Sequence, residues 1–241
     1  MTRRIRIAAI SLVLLCAACA YWRSLQTLTF LPADTTAFVA QFAPPPAKDS
    51  PQMRTEIDEL LAIQASRTEA ERDAARADRK KDIRQFYGPL GVDAAAAESL
   101  APLRTFMDDV EGDVSIYVRA AKRRFARARP YVVEPRLKPC IGDVADNESY
   151  PSGHSAYGYS VALVLADMVP ERRLELRARA DEFAHHRMTC GVHYASDIAA
   201  GRKAAEWLVP ELGKQAGYRT AETEAARVLR AALALPPEPA K

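Results

Sequence analysis

The sequence predicts an all-α protein built as a single compact helical domain. Its 241 residues suit one domain with short appendages. Only 10 glycines and 7% aromatic residues are present, which disfavours a β-sandwich or a barrel. No stretch alternates apolar and polar residues as a strand does, whereas apolar residues recur at helical spacing in several segments. These observations predict a helical bundle.

The first twenty residues are predicted to be an export signal. Basic residues at positions 3–6 precede an uncharged apolar run over 7–20, which is shorter than the ~20 residues that span a bilayer. The run contains Ala18-Cys19-Ala20, a small-x-small cleavage site, and lipidation of Cys19 is the alternative. We therefore expect a periplasmic or secreted protein whose mature chain has no membrane span.

Removal of this signal changes the charge and the cysteine count. Residues 1–20 carry three arginines and no acid, so the net charge falls from +3 to 0, which argues against a nucleic-acid partner. Of the four cysteines, Cys140 and Cys190 remain, and in an oxidising compartment they most simply form one disulfide. Closing that loop would contribute roughly 4 kcal/mol in the chain-entropy model. Two buried free thiols are the alternative.

The chain divides into four predicted parts: the signal (1–20), a lead-in (21–50), one domain (51–215), and a terminal helix with a Pro-rich tail (216–241). Ser50-Pro51 marks the start of the first helix of the domain. The further predicted segments are a solvated charge-rich helix face (67–84), a helix over 94–127 that Pro130 stops, a buried central helix (156–168), and helices over 170–187, 193–208 and 221–235. Breaks are predicted at 88–91 and at Gly191.

The first chemical motif is the basic run 122–130. Lys122 and Arg129 are candidates to converge on an anion, lysine as a point charge and arginine as a bidentate fork. By itself such a run is more often a solvated helix end that the helix dipole favours.

The second motif, Pro151-Ser152-Gly153-His154, stands at the start of the apolar helix. Proline suits the first helical turn, and the amides of the three following residues would form an anion site at the positive end of the helix dipole. His154 would then lie at the mouth of that site as a proton donor. A histidine beside an apolar helix is otherwise usually a core residue.

The third motif is Arg187 followed by His193 and Asp197. Four residues of spacing put His193 and Asp197 on one helix face, so that the carboxylate can hold one imidazole nitrogen and leave the other free to attack. The alternative is a surface ion pair worth a few tenths of a kcal/mol.

The order and spacing of the three motifs resemble the signature of the type 2 phosphatidic acid phosphatase (PAP2) and vanadium haloperoxidase superfamily. Residues 45–210, with Asn147-Glu148-Ser149-Tyr150 before the second motif and Cys190-Gly191 before His193, look like the bacterial class A non-specific acid phosphatases in particular. One position departs from that pattern, because His186 stands where a serine usually precedes the arginine of the third motif.

The resemblance implies metal-independent hydrolysis of small phosphate monoesters. His193 would form a phosphohistidine, Asp197 would stabilise its imidazolium, and His154 would act as the general acid and base. The phosphate would be bound by Lys122, Arg129, Ser152, Gly153 and Arg187. No cofactor is implied, vanadate is expected to inhibit as a phosphate mimic, and the adjacent His185 and His186 point to different helix faces and chelate poorly.

Alternatives remain open at this stage. A vanadate-dependent haloperoxidase would use the same cage with His193 as the metal ligand. A non-catalytic phosphate or polyanion binder would need neither the His193–Asp197 pair nor an acid at His154, so His193→Ala separates binder from enzyme. A membrane lipid phosphatase would need several spanning helices. Phosphotransfer to an alcohol and homo-oligomerisation are also left open.

Overall fold

A computed structural model of the chain describes residues 27–142 and 148–237, and all regular structure in these ranges is helical. The α-helices are α1 (Thr36–Val39), α2 (Pro51–Ser66), α3 (Glu69–Ala77), α4 (Tyr87–Leu90), α5 (Ala94–Ser99), α6 (Ala101–Phe125), α7 (Pro130–Val133), α8 (Gly153–Met168), α9 (Arg173–Thr189), α10 (Ala195–Gly213) and α11 (Ala216–Ala232). Single 3₁₀ turns occupy Ile83–Phe86 and Pro170–Arg172. The predicted all-α class is confirmed. The predicted signal, Cys16, Cys19 and Asn147 lie outside the described ranges.

Helix α8 is the centre of the molecule, as its uniformly apolar sequence predicts. It packs chiefly between α9 and α10, and α6 also contacts it. The helix begins at Gly153, three residues before the predicted start, because Ser152 caps it by accepting a hydrogen bond from the Ser155 amide. Since α8 is buried along its length, its first turn opens into the interior of the bundle.

Close packing of α8 against α10 depends on Gly201. A Cβ at this position would lie 2.5 Å from the carbonyl oxygen of Ser152 and 2.6 Å from Cβ of Ser155. Only the absence of a side chain lets the two helices approach this closely. Gly201 therefore helps to set the position of the second motif.

Both segments that flank the predicted domain share its core. Phe38 of α1 is fully buried and packs on Tyr117 and Trp207. The carboxylate of Asp113 accepts hydrogen bonds from three backbone amides of the lead-in, those of residues 29–31, at 2.7–2.9 Å. At the other end of the chain α11 packs on α6.

The charge-rich segment 67–84 is not one solvated helix, and that prediction is wrong. Thr68 and Glu71 form a capping box that starts α3 as a separate helix, so the chain turns at Arg67. Helix α3 ends at Ala77, and the next residue, Asp78, is only 2% exposed because it pairs with Arg179 and His186. The turn brings residues 78–81 over the central helix.

The predicted helix over 94–127 is also divided. It breaks at the buried Leu100, and α6 restarts with Pro102 in its first turn. It ends at Phe125 because Ala126 adopts a left-handed conformation (φ 47°). Pro130 begins the short α7 instead of stopping the preceding helix.

The later boundaries differ less from those predicted. Helix α9 starts after a 3₁₀ turn and reaches Thr189, and Gly191 follows with φ 67°, as a break requires. Helix α10 starts at Ala195 and continues to Gly213, so His193 lies in the turn before it. The Cys140–Cys190 disulfide ties the loop after α7 to this turn, with the two Cα atoms 4.7 Å apart.

Candidate active site

Six of the predicted site residues line one cavity of about 270 Å³. They are Lys122, Arg129, Gly153, His154, Arg187 and His193. The wall also includes Lys81, Ser115 and Arg119, which the sequence did not single out. The two remaining predicted residues, Ser152 and Asp197, are fully buried behind the wall. The cavity suits a small ligand of high negative charge.

His193 is a neutral imidazole with an unprotonated Nε2. Nη1 of Arg129 lies 3.0 Å from Nε2, and because a guanidinium has no acceptor, Nε2 must accept this hydrogen bond. The ring proton is therefore on Nδ1, 3.2 Å from Oδ2 of Asp197. Burial and the charge of Arg129 lower the pKa of His193 to about 3. The lone pair that a nucleophile needs is thus available above about pH 3.

Asp197 holds His193 from the first turn of α10, although His193 itself is not helical. The prediction that both residues share a helix face is wrong, because the helix starts only at Ala195. Oδ2 of Asp197 accepts from the Tyr194 amide at 3.0 Å, from Nδ1 of His193, and from the hydroxyl of Ser149. Burial alone would raise the pKa of Asp197, but His193, Arg127 and Ser149 lower it to about 2.

Arg127 and Glu56 form a second layer behind Asp197 that sequence reasoning missed. Nη1 of Arg127 donates to Oδ1 of Asp197 at 2.6 Å, and Nη2 donates to Oε2 of Glu56 at 2.8 Å. The Arg127 guanidinium also lies 3.8 Å from the ring centre of Tyr194, a cation–π contact. Glu56 in turn accepts from the Ser196 amide at 2.8 Å.

A sequence signal for Glu56 exists in hindsight. It stands three residues after Met53 and four before Leu60, both buried, so a carboxylate occupies a core position of α2. A charge on a buried helix face requires a partner. No comparable signal separates Arg127 from its basic neighbours, because only the break at Ala126 turns it inward.

Arg187 presents unsatisfied donors to the cavity. Its side chain is 1% exposed, and Nη1 donates to the carbonyl of Asp78 at 3.3 Å. Its Nε and Nη2 groups are buried without a hydrogen-bond partner. Burial and the charge of Arg129 lower the pKa of Arg187 to about 10, against the opposing effect of Asp78. Buried donors of this kind cost free energy unless an acceptor binds them, and an oxyanion supplies several.

Lys122 and Arg129 complete the cationic wall from the two ends of the basic run. Lys122 lies in the last turn of α6, and its ammonium donates to the carbonyls of Glu148 and Ser149. Arg129 donates to the carbonyl of Val192 at 2.9 Å as well as to His193. Both side chains are buried, so the sequence's alternative of a solvated basic face does not hold for them.

The start of α8 differs in detail from the predicted anion site. The Ser152 amide donates to the carbonyl of Asp197 at 2.9 Å, so it is not available to a ligand. The Ser152 hydroxyl caps the helix, and Pro151 precedes this cap instead of standing in the first turn. Gly153 and His154 then occupy the first turn, where amides have no intrahelical acceptor.

His154 lines the cavity from the first turn of α8. Its Nε2 donates to the carbonyl of Arg79 at 2.9 Å, and its ring stacks on Phe183. Burial, followed by the charges of Arg187 and Lys81, lowers the pKa of His154 well below 6.5. The unliganded site therefore holds His154 neutral at physiological pH.

His186, at the position that departs from the family pattern, has a defined partner. Its Nδ1 is 2.6 Å from Oδ2 of Asp78, whose other carboxylate oxygen accepts from Arg179. The backbone carbonyl of the same Asp78 accepts from Arg187, and that of Arg79 accepts from His154. His186 thus fixes the turn on which two cavity residues depend.

The fold and this cavity can be compared with those of known proteins. Residues 113–209 match the family model described as the PAP2 superfamily. A non-specific acid phosphatase of Salmonella typhimurium is 44% identical over 86 residues, which is 34% of each chain. One of Providencia stuartii is 34% identical over 128 residues, 49% of this chain and 51% of the relative. The predicted resemblance to bacterial non-specific acid phosphatases is confirmed.

These matches cover part of each protein, and the chain spans about half or less of the length of these curated relatives. Among solved structures, a bacterial vanadium-dependent iodoperoxidase superposes with a TM-score of 0.60 at 22% identity, over 76% of this chain and 54% of the other. A transmembrane PAP2-type phosphatidylglycerolphosphate phosphatase of Bacillus subtilis gives 0.50 at 15% identity, over 74% and 90%. At these identities the likeness concerns the fold.

Two further features concern membrane spans and metal binding. Within residues 27–142 and 148–237, no helix combines the length and apolar character needed to cross a bilayer. The same ranges contain no cluster of three or more histidine, cysteine or acidic side chains arranged to hold a metal ion.

Proposed function

We propose that the protein is an acid phosphatase that hydrolyses small phosphate monoesters without a metal ion, through a phosphohistidine on His193. The observation that carries this proposal is the unprotonated Nε2 of His193 on the wall of a cavity that also holds the unsatisfied donors of Arg187. A nucleophile and a buried oxyanion site thus meet in one place. The similarity to non-specific acid phosphatases supports the same reaction.

In the first step Nε2 of His193 attacks phosphorus in line with the leaving oxygen. A P–N bond forms and the P–O bond to the leaving group breaks. The Arg129 N–H that now bonds Nε2 turns to a phosphoryl oxygen, beside Lys122 and Arg187. These cations supply the charge that divalent metals supply in other phosphoryl-transfer enzymes. Asp197 keeps its hydrogen bond to Nδ1 and stabilises the imidazolium.

His154 is proposed to protonate the leaving oxygen. Its low pKa results from burial and from the cations Arg187 and Lys81. The negative charge of a bound phosphate ester offsets those cations and raises the pKa of His154. Substrate binding therefore favours the protonated form that the reaction consumes.

In the second step the neutral His154 takes a proton from water, and the water oxygen attacks phosphorus as the P–N bond breaks. Inorganic phosphate leaves, His193 is again neutral with its proton on Nδ1, and His154 releases to solvent the proton that it took from water. An alcohol in place of water would give phosphotransfer by the same chemistry. We also propose a periplasmic or secreted location, which the Cys140–Cys190 disulfide supports.

The test is hydrolysis of p-nitrophenyl phosphate in EDTA by the wild type, by His193→Ala and by a matched control, His185→Ala, whose side chain is exposed. We expect metal-independent turnover that vanadate inhibits, that His193→Ala abolishes and that His185→Ala retains. Brief reaction with ³²P-labelled substrate and an alkaline quench should leave acid-labile label on the wild type only. Turnover that disappears in EDTA and returns with a divalent ion would refute the metal-independent mechanism.

A further inference from the structure

Lys81 is a cavity residue that the proposed reaction does not use. It lies just before the 3₁₀ turn at Ile83–Phe86, and its side chain is 22% exposed. Its ammonium donates to Oε1 of Glu111 at 2.6 Å and to Oγ of Ser115 at 2.7 Å, both on α6. These contacts hold the charge on the cavity wall, about two to three turns of α6 before Lys122.

The cavity carries more positive charge than a phosphoryl group requires. Among the described residues that line it, five side chains are cationic, namely Lys81, Arg119, Lys122, Arg129 and Arg187, and none is acidic. Burial acts to raise the pKa of Glu111, yet Lys81, Ser115 and Arg119 lower it. Glu111 is thus an acidic side chain with which a bound anion would compete for Lys81.

Lys81 lies at the same part of the cavity as His154. Nε2 of His154 donates to the carbonyl of Arg79, two residues before Lys81, and the side chains of His154 and Lys81 both line the cavity. Because His154 is the proposed donor to the leaving oxygen, Lys81 lies beside the atoms that follow that oxygen. Of the other four cations, Arg129 donates to Nε2 of His193, where phosphorus must lie. Arg119, Lys122 and Arg187 line the same cavity.

We propose that the cavity selects phosphate esters whose leaving group carries a second anionic group close to the ester, and that Lys81 binds this group. A lysine ammonium is a point charge with three hydrogen-bond donors, so it can bind a carboxylate or a second phosphate. The same anion, placed between Lys81 and His154, would help His154 to become protonated. The proposal rests on the proposed function for the orientation of the ester, but its binding test requires no turnover.

The test compares ligands that cannot be hydrolysed and differ only in the second anion. Methylphosphonate, phosphonoacetate and methylenebisphosphonate are titrated calorimetrically, in EDTA, into the wild type, Lys81→Gln and Lys80→Gln. Lys80 is the matched control, since it is the adjacent lysine and is exposed. Phosphonoacetate and methylenebisphosphonate carry the second anionic group. We expect the wild type and Lys80→Gln to bind one or both of these ligands about tenfold more tightly than methylphosphonate. Lys81→Gln should lose that preference.

The arms identify the second anion: preference for phosphonoacetate indicates a carboxylate, and preference for methylenebisphosphonate indicates a phosphate. Glu111→Gln removes the competing carboxylate and should increase the preference. Equal binding of all three ligands by the wild type, or equal losses in Lys80→Gln and Lys81→Gln, would overturn the proposal. Turnover of p-nitrophenyl phosphate is measured separately, so failure of the phosphatase assay with the binding preference intact contradicts only the proposed function.

Discussion

Replacement of Arg127 by methionine tests whether the layer behind Asp197 is held together by charge. Methionine retains much of the length and apolar character of the arginine stem but has no donor. The change leaves Glu56 and Asp197 buried without the guanidinium that they share. All three side chains are less than 10% exposed, so water cannot easily replace the lost partner.

The magnitude follows from the geometry. Arg127 lies 2.6 Å from Oδ1 of Asp197 and 2.8 Å from Oε2 of Glu56. At an effective dielectric constant of about 20, unit charges about 4 Å apart interact by about 4 kcal/mol. Arg127 makes two such attractions, one with Asp197 and one with Glu56. Repulsion between the two carboxylates and the desolvation of the three charges offset part of this attraction. Removal of one partner from a buried pair typically costs about 3–5 kcal/mol, and we expect a loss of that size in the free energy of unfolding at pH 7.

The assay is urea denaturation at pH 7 and pH 5, with Arg123→Met as the control because Arg123 is exposed on the same basic run. In the wild type Asp197 has a pKa of about 2, below its unfolded value, so it contributes stability above pH 3.8 that is lost toward pH 2. In Arg127→Met one of the charges that oppose the burial of Asp197 is lost, so the pKa of Asp197 rises and the variant gains stability relative to the wild type as the pH falls. The deficit should therefore be smaller at pH 5.

A loss of less than about 1 kcal/mol in the free energy of unfolding at pH 7 would refute the electrostatic account, because removal of one partner from a buried ion pair costs more than that. An equal deficit at both pH values would show that lost packing, and not unpaired charge, causes the effect. Either result would also remove Arg127 as the residue that orients Asp197.

Two further outcomes are expected. Gly201→Ala should lower the free energy of unfolding by about 1–3 kcal/mol, because the new Cβ would lie 2.5 Å from the Ser152 carbonyl oxygen. Gly112→Ala, where no atom lies within 4 Å of the new Cβ, should raise it by up to about 1 kcal/mol. Urea denaturation that ranks the two variants otherwise contradicts the packing argument. The profile of kcat/KM against pH should rise through about pH 3, where His193 loses its proton, and fall above the pKa of His154, which lies well below 6.5. A maximum at or above pH 7 would contradict these assignments.

The sequence predicted those features of the site that depend on local pattern. The uniformly apolar run after Pro151 predicted the buried helix α8, and the scarcity of glycine with helical periodicity predicted the all-α class. The three motifs, identified by the order and spacing of their residue types, contain six of the residues that line the cavity. The pairing of Cys140 with Cys190 was predicted from the two cysteines that follow the proposed export signal and from the oxidising compartment that export implies.

The errors arose where a boundary decides which way a side chain points. The interpretation of 67–84 as solvated surface missed Asp78 and Lys81, because α3 ends at Ala77 and the chain after it contacts other helices through these two side chains. The helical spacing of His193 and Asp197 gave the correct partners by the wrong geometry, since His193 precedes the helix.

What the sequence determined by itself was therefore the kind of fold, the types of the candidate site residues and their order along the chain. Only the tertiary structure decided which groups meet. Arg127 contacts Glu56 71 residues away and Asp197 70 residues away, and Gly201 admits α8 to within contact distance of α10. Periodicity and caps are local properties of the chain, whereas these contacts depend on how helices distant in sequence pack. The charge states of His154 and His193 also depend on the tertiary structure, because burial and neighbouring charges set their pKa values.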